Sequence, residues 1–271
     1  MIVDPPRKPR IALMGEFSAG KSTLANLLLE QDSSPVQVTA TQLPPIWYTL
    51  GTGQAERVLT SGATEPISLT DWATADPANT EMIRVGIEAD LLYAVDLVDM
   101  PGTSDPCMTT DIWSRVLPLV DMVIWCTPAN QAWRQSEAAM WEQVRPELWQ
   151  SSLLLVTRMD KMQSELDRRR VLSRVRAEAG AMFRDVLPIA LPAAIAGRND
   201  SEALEDTGAG ALMRVLESAL DAAGGLCDAA AFPAAPDTAS AAGTTLTRKI
   251  VPRRIERRAV PRRERPQAGM A

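Results

Sequence analysis

Apolar and polar positions alternate along the chain in blocks that predict strands and helices in turn. Short apolar runs are typical of buried strands, and charged segments with a recurring apolar stripe are typical of surface helices. The predicted strands are RIALMG, the adjacent pair EMIRVGIEA and LLYAVDLVDMPG, then DMVIWCTP, SSLLLVTRMD and DVLPIALPA, with IWYTL as a further strand-like piece. The predicted helices are STLANLLLE, TTDIWSRVL, QAWRQSEAAMWEQVRPELW, KMQSELDRRRVLSRVRAEAGAMF and ALMRVLESALDAA. This alternation predicts an α/β fold, a mostly parallel sheet with helices on both faces.

The composition divides the chain into three parts. Residues 1–9 form a short N-terminal extension, and residues 10–222 hold all the predicted strands and helices. From residue 223 onward Ala, Pro, Gly, Ser and Thr dominate, and the basic stretch VPRRIERR is echoed by VPRRER. A segment with so little apolar content cannot bury a core of its own. We therefore predict one folded domain followed by a disordered tail over 223–271.

The composition also excludes several classes of protein. The 271 residues contain no histidine and three cysteines, which leaves no disulfide framework, zinc knuckle or histidine base. No apolar run reaches the roughly 18 residues that span a bilayer. The start, MIVDPPRKPR, lacks the apolar stretch of a secretory signal. A cytoplasmic location, with peripheral membrane contact as an option, is the expectation.

The charge is distributed unevenly. From Arg248 onward there are nine basic and two acidic residues, a local charge of +7, whereas the first 247 residues carry −13. The basic tail is suited to anionic lipid headgroups, to an acidic protein partner, to nucleic-acid phosphates, or to the acidic body of its own chain. Aromatic residues do not interleave with its arginines, which disfavours single-stranded nucleic acid.

The stretch GEFSAGKST, after the first predicted strand, carries the strongest chemical signal. It matches the phosphate-binding pattern G-x-x-x-x-G-K-S between a strand and a helix. The glycines let backbone N–H groups converge on phosphate oxygens at a helix N-terminus. Lys21 would reach the β- and γ-phosphates, and the Ser22 hydroxyl would bind Mg²⁺. The predicted phosphate-binding residues are Gly15, Glu16, Phe17, Ser18, Ala19, Gly20, Lys21, Ser22, Thr23 and, from a later strand, Gly102.

Two further stretches lie at the ends of predicted strands. In VDLVDMPGT, Asp99 can hold Mg²⁺ through water while the Gly102 amide senses a γ-phosphate, the alternative being an aspartate that caps a turn. In LLLVTRMDK, Asp160 can accept two hydrogen bonds from a guanine edge, which adenine cannot supply. Thr157 and Arg158 would shape that slot. The alternative is a surface loop with an Arg–Asp pair.

Taken in order, GEFSAGKSTLANLL, VDMPG and TRMD resemble the GTPase domain of the dynamin-like family, especially its bacterial members. The resemblance covers about residues 8–222. It implies a three-layer P-loop NTPase fold (a G domain), with GTP or GDP and Mg²⁺ as ligands. It also implies GTP hydrolysis and a nucleotide-dependent homodimer. The chain has no room for the stalk and membrane-inserting paddle of larger members.

The resemblance assigns roles to further residues. A switch threonine that completes the Mg²⁺ shell is expected at Thr41, with Thr39 as second choice. Lys21, Ser18 and Thr41 form the implied catalytic set, in which Ser18 helps to neutralise charge near the β–γ bridge. Arg134, in the cluster NQAWRQSE, is a candidate to act across a dimer. Its alternative is a solvated arginine beside a packed tryptophan.

Two departures from the family pattern bear on activity. Arg158 replaces the usual lysine of the guanine motif, which is expected to weaken base affinity or selectivity. Phe17 stands where eukaryotic dynamins place a water-positioning glutamine, so hydrolysis is expected to be slow unless a dimer activates it.

Three functions follow from these observations. The leading hypothesis is a Mg²⁺-dependent GTPase whose nucleotide state controls dimerisation or docking to a partner or membrane. The second is a slow or non-hydrolysing, nucleotide-gated scaffold, and the third is an Era-like ribosome-associated GTPase. The chain lacks the NKxD motif of the third class.

Overall fold

A computed structural model describes residues 7–31, 44–68, 75, 78–102 and 110–222. These residues form a fold built on one nine-stranded sheet. The strands are β1 (Arg10–Gly15), β2 (Ile46–Leu50), β3 (Ala55–Leu59), β4 (Thr64–Pro66), β5 (Thr80–Ile87), β6 (Asp96–Asp99), β7 (Met122–Pro128), β8 (Leu153–Thr157) and β9 (Asp185–Pro188). Across the sheet they lie in the order β4-β3-β5-β2-β6-β1-β7-β8-β9.

The sheet has a parallel half and a mixed half. Strands β6, β1, β7, β8 and β9 are parallel to one another. On the other side β2 is antiparallel to β6 and parallel to β5, and β3 is antiparallel to both β5 and β4. The prediction of a mostly parallel sheet is confirmed. Since parallel strands end at the same edge, the segments that follow β1, β6, β7, β8 and β9 meet there.

Helices cover both faces of the sheet because β1 and its neighbours are apolar on both sides. Ile11 and Leu13 of β1 pack with one cluster of apolar side chains, whereas Ala12 and Met14 pack with the other. Helices α1, α2, α6 and α8 contribute to the first cluster and α3, α4 and α5 to the second. The helices are α1 (Lys21–Leu28), α2 (Leu91–Ala94), α3 (Thr110–Val116), α4 (Gln135–Trp141), α5 (Glu165–Ala179), α6 (Leu191–Ala196), α7 (Ser201–Asp206) and α8 (Ala209–Ala222). The predicted three-layer α/β class is confirmed.

Several predicted elements differ in detail. The run LLYAV forms the helical turn α2 before β6, because a short apolar run is compatible with either structure. Strands β5 and β6 are not adjacent, since β2 lies between them. The helix expected from QAWRQ onward begins only at Gln135, because the left-handed backbone of Trp133 (φ 58°) cannot continue a helix. The stretch DVLPIALPA is predicted as one strand, but strand β9 ends at Pro188 and helix α6 begins at Leu191.

Some predictions fall outside the described residues. These are the switch threonines Thr41 and Thr39, the N-terminal residues 1–6 and the tail over 223–271. The described residues all belong to one compact unit. Among the helices that the structure describes, none combines the length and apolar character needed to cross a bilayer.

Candidate functional site

The phosphate loop, residues 15–22, connects the carboxyl end of β1 to the start of α1. Gly15 has φ 136°, and a Cβ at this position would lie 2.2 Å from the carbonyl oxygen of Cys126 in β7. Gly20 has φ 98°, and Ser18 between them has φ 57°. Both glycines therefore occupy backbone conformations that side chains rarely adopt, and Gly15 also has no space for one. The sequence pattern G-x-x-x-x-G reflects these two constraints.

Lys21 is enclosed by its own loop. The side chain is buried, and Nζ donates hydrogen bonds to the carbonyl oxygens of Gly15 at 3.1 Å and Glu16 at 2.9 Å. Burial lowers the pKa of Lys21, and the charge of Asp99 acts in the opposite direction. A phosphate oxygen is a stronger partner than a carbonyl for this ammonium group, since both partners are then charged. The loop therefore holds a cation in position for an anionic ligand.

Ser22 and Asp99 form the predicted metal-binding pair. Ser22 Oγ donates to Asp99 Oδ2 at 3.2 Å, while Asp99 Oδ1 is buried without a hydrogen-bond partner among the described residues. Burial raises the pKa of Asp99 to about 6, against the influence of Lys21 and Ser22. A buried carboxylate oxygen without a donor fits a hydrated Mg²⁺, which supplies both charge and O–H donors.

The described residues provide one hydroxyl and one carboxylate for a metal ion at this position. No group of three or more acidic, cysteine or histidine side chains that could hold a metal occurs in the part of the chain that the structure describes. One hydroxyl and one carboxylate beside a phosphate loop are the donor set expected for Mg²⁺ in nucleotide sites, where the ion keeps several waters.

Gly102 contacts the phosphate loop directly. A Cβ on Gly102 would lie 2.9 Å from both N and Cα of Phe17. The segment after β6 and the phosphate loop therefore approach each other backbone to backbone. The ring of Phe17 remains 61% exposed. Gly102 therefore lies against the loop, and contact of its amide with a γ-phosphate stays a prediction.

The predicted guanine motif is tied to the phosphate loop by two hydrogen bonds. Thr157, at the end of β8, donates from Oγ1 to the carbonyl of Ala19 at 2.7 Å. Arg158 has a left-handed backbone (φ 57°) and donates from Nη2 to the carbonyl of Ser18 at 2.5 Å. Asp160 lies in a short 3₁₀ turn, 3.6 Å from Nζ of Lys161. The guanine motif (residues 157–160) and the phosphate loop thus lie side by side, and together they form the rim of the candidate site.

A third segment at this rim was not identified from the sequence. The carbonyl of Ile189 accepts a hydrogen bond from the backbone N–H of Met159 at 3.3 Å. Leu191 Cδ1 would lie 3.1 Å from a Cβ placed on Gly20. The junction between β9 and α6 therefore borders both the guanine motif and the phosphate loop. Its position at the carboxyl end of a parallel strand is the signal that could have found it.

Glu16 and Arg134 form a second contact that the sequence did not reveal. Arg134 Nη2 lies 2.8 Å from Glu16 Oε2, and Ser136 Oγ donates to Glu16 Oε1 at 3.1 Å. Arg134 therefore lies against the phosphate loop of its own chain. The structure brings together Lys21, Ser22, Asp99, Gly102, Thr157 and Arg158, and Thr23 lies in the first turn of α1.

Comparisons with known proteins agree with this geometry. The model of the dynamin family matches residues 11–159, which is more than half of the chain. No match was found among curated proteins.

Solved structures share the fold at low identity. Two structures of an oligomerised bacterial dynamin pair, described as a mechanism for long-range sensing and tethering of membranes, align with TM-scores of 0.56 and 0.57. They are 19% and 17% identical to the chain and cover 80% of it. The chain spans little more than a third of their length, 37% and 36%. Era from Aquifex aeolicus, bound to GDP and AlF4−, aligns over 79% of the chain and 57% of Era at 16% identity, with a TM-score of 0.45 that supports no functional argument.

Proposed function

The chain belongs to the dynamin family of GTPases, and from this premise we propose that it binds GTP with Mg²⁺ at the phosphate loop and hydrolyses it to GDP and phosphate. We further propose that the nucleotide state controls dimerisation or docking. The observation that carries the proposal is the buried ammonium group of Lys21, held by the loop carbonyls of Gly15 and Glu16 next to the Ser22–Asp99 pair. A nucleoside triphosphate with bound Mg²⁺ would give the ammonium group an anionic partner and the Ser22–Asp99 pair a cation.

Each side chain has a defined task in this proposal. Lys21 would exchange its carbonyl partners for β- and γ-phosphate oxygens, and Ser18 would add a donor near the bridging oxygen. Ser22 and Asp99 would hold Mg²⁺, with Thr41 as the proposed third protein ligand. Mg²⁺, when bound, neutralises charge on the β- and γ-phosphate oxygens. Gly102 would donate its amide to the γ-phosphate, so that the segment after β6 responds to its presence.

The base would lie along the rim made by the guanine motif. The Asp160 carboxylate can accept from both the N1–H and the 2-amino group of guanine, whereas adenine lacks this pair of donors. Arg158 is held by its bond to Ser18, with the stem of its side chain available to lie along the base. The replacement of lysine by arginine keeps this link between motif and loop.

A slow or non-hydrolysing scaffold is the second candidate. It is favoured by Phe17, an exposed apolar side chain at a loop position where a water-positioning amide would be expected. Since phosphoryl transfer depends on positioning an attacking water and stabilising charge, a site without that group would hold GTP for long periods. A homodimer that supplies the missing group would instead make turnover rise with protein concentration.

Docking is proposed to involve the basic tail. Its charge of +7 suits an anionic membrane surface or an acidic protein partner, each arginine near a membrane contributing about 1 kcal/mol. A cytoplasmic protein that meets a membrane peripherally fits this proposal.

The binding proposal is tested by titrating the purified protein with GTP, GDP and ATP in Mg²⁺. We expect GTP and GDP to bind at least tenfold more tightly than ATP, a difference of about 1.4 kcal/mol. Lys21→Ala should lose binding to all three nucleotides. Arg170→Ala, which removes an exposed positive charge from α5, is the matched control and should bind as the wild type does. Equal affinity for ATP would contradict the role of Asp160, and unaltered binding by Lys21→Ala would contradict the site.

Phosphate release distinguishes the two candidate functions. Phosphate release is measured at saturating GTP over a range of protein concentrations. Turnover per molecule that rises with concentration supports a dimer-activated enzyme. Turnover that stays negligible at every concentration supports the scaffold.

A further inference from the structure

Glu16 places a negative charge inside the loop that is proposed to bind a triphosphate. Its carboxylate side chain is only 10% exposed, and its own backbone carbonyl accepts a hydrogen bond from Lys21. A carboxylate close to a polyanionic ligand repels it, and the repulsion grows with the ligand's charge and with removal from water. The loop therefore requires a group that compensates Glu16.

Arg134 and Ser136 provide that compensation. Arg134 Nη2 lies 2.8 Å from one carboxylate oxygen of Glu16, and Ser136 Oγ donates to the other at 3.1 Å. The guanidinium group also donates to the side-chain oxygen of Gln131. Arg134 is about half exposed whereas Glu16 is nearly buried, so solvent screens the pair only in part.

The backbone at Arg134 is held in place by contacts that do not involve Glu16. The N–H of Trp133 donates to Thr127 Oγ1, and the N–H of Arg134 donates to Glu137 Oε2, both at 3.0 Å. Arg174 of α5 donates to the carbonyl of Ala132 at 2.7 Å. The Trp133 ring is buried, with edge-on contacts to other aromatic rings.

The left-handed conformation of Trp133 is the consequence of this packing. Such a conformation costs a large residue roughly 1–3 kcal/mol and persists only where the surroundings impose it. Trp133 follows the 3₁₀ turn Ala129–Gln131 and its C-cap Ala132, and the next residue, Arg134, contacts Glu16 of the phosphate loop. The backbone position of Arg134 is therefore fixed by these contacts and does not depend on the ion pair with Glu16.

From these contacts we propose that Arg134 is a positioning residue for triphosphate binding, which acts within its own chain by neutralising Glu16 and holding it away from the phosphates. The inference rests on the proposed GTP-binding function and deepens it. Arg134 need not contact the nucleotide. Its contribution to nucleotide affinity is larger for GTP than for GDP, because the γ-phosphate adds negative charge close to the loop.

A double-mutant cycle tests the inference. GTP and GDP affinities are measured by titration for the wild type, Arg134→Ala, Glu16→Gln and Glu16→Gln/Arg134→Ala. Arg134→Ala should weaken GTP binding about tenfold, the factor that corresponds to roughly 1.4 kcal/mol, and GDP binding less. The double variant should bind GTP within about twofold of Glu16→Gln, since removing the carboxylate removes the need for the arginine. Arg170→Ala is again the matched control for loss of an exposed arginine.

A second measurement separates this role from one across a dimer. The affinities of the four proteins are determined at two protein concentrations, below and above the range in which GTP promotes dimerisation. A concentration-independent loss that Glu16→Gln rescues supports the inference. A loss that appears only in dimers and persists in the double variant overturns it and favours action on the partner's nucleotide.

The remaining outcomes are also decisive. If the wild type binds GTP and Arg134→Ala binds it equally well, the role of Arg134 is wrong while the proposed function stands. If the wild type binds no guanine nucleotide, the proposed function is wrong and the inference fails with it. Thermal unfolding of the ligand-free proteins checks that each variant is folded before its affinity is interpreted.

Discussion

Ser22 and Asp99 are 77 positions apart in the chain, and the Ser22 hydroxyl donates a hydrogen bond to Asp99 Oδ2 at 3.2 Å. The contact exists because β1 and β6 are neighbouring parallel strands with Leu13 opposite Asp99. The start of α1 and the end of β6 therefore lie at the same edge of the sheet. The second oxygen of Asp99 is left without a donor in the described structure, which is the reason for expecting a cation.

Removing the Ser22 hydroxyl should therefore affect nucleotide binding only when Mg²⁺ is present. We expect Ser22→Ala to weaken GTP affinity by about ten- to a hundredfold in Mg²⁺, the range seen when a supporting group of a metal site is lost. In excess chelator, Ser22→Ala and the wild type should bind GTP with the same affinity. Ser201→Ala, an exposed serine in the first turn of α7, is the control. An equal loss with and without Mg²⁺ would indicate that Ser22 contacts phosphate rather than metal.

The close approach of Gly15 to β7 predicts a large difference between two glycine substitutions. Gly15→Ala places a Cβ 2.2 Å from the carbonyl oxygen of Cys126, whereas Gly62→Ala, at a similarly positive φ, meets nothing within 4 Å. Gly62→Ala should cost roughly 1 kcal/mol of unfolding free energy through backbone strain alone. Gly15→Ala should cost roughly 3 kcal/mol or more, because the backbone must also move. Urea unfolding of both variants measures the difference. Similar losses of unfolding free energy would show that the backbone of β7 moves away from the added Cβ at little cost.

The sequence predicted those parts of the site that depend on neighbouring residues. The phosphate loop was recognisable because the glycines, the lysine and the flanking strand and helix are all local features. The hydrophobic runs predicted Asp99 at the end of β6 correctly, whereas Asp160 lies in the 3₁₀ turn that follows β8. The family predicted from these motifs is confirmed, and GTP hydrolysis is proposed from it.

The parts that were missed depend on contacts between distant positions. Glu16 and Arg134 are 118 positions apart, and neither residue type indicates the other. The composition around Trp133 predicts a helix, whereas the left-handed residue is held by a hydrogen bond to Thr127 and by ring contacts, both with residues distant in the chain or outside a helical repeat. The apolar run around Leu92 predicts a strand but forms the helical turn α2, because such a run is compatible with either structure.

The guanine motif predicts a change of base preference on a single substitution. In the proposed site Asp160 would accept two hydrogen bonds from guanine, whereas an asparagine offers one acceptor and one donor. Xanthine, with a carbonyl in place of the 2-amino group, matches that pattern. We expect Asp160→Asn to lose at least about a hundredfold in GTP affinity, since its amide places a donor opposite a donor of guanine, and to gain affinity for xanthosine triphosphate.

The measurement is a competition titration of the two triphosphates. Asp206→Asn, an exposed aspartate at the end of α7, is the matched control and should leave the preference for GTP unaltered. A variant that binds both triphosphates as the wild type does would show that Asp160 does not contact the base.

The buried carboxyl group of Glu137, which accepts a hydrogen bond from the N–H of Arg134, is expected to make the free energy of unfolding depend on pH. Its Oε1 accepts from Trp125 Nε1 and its Oε2 from Thr127 Oγ1 and the N–H of Arg134, all at 3.0 Å. Burial raises the pKa of Glu137 above its ordinary value of 4.5, although these hydrogen bonds oppose the shift. The folded state therefore favours the protonated form. The stability this provides is fully present below pH 4.5 and is lost as the pH rises through the raised pKa of the folded protein.

Glu137→Gln should remove this pH dependence, because glutamine does not titrate. At pH 4.5 we expect the variant to be about 1 kcal/mol less stable than the wild type, since its amide nitrogen cannot accept a hydrogen bond. The difference should narrow as the pH rises toward 8, because only the wild type then carries a buried charge. Urea unfolding of the nucleotide-free proteins across this range measures it, with exposed Glu142→Gln as the control. A difference that widens with pH would mean that the hydrogen bonds outweigh burial and that the pKa of Glu137 is lowered.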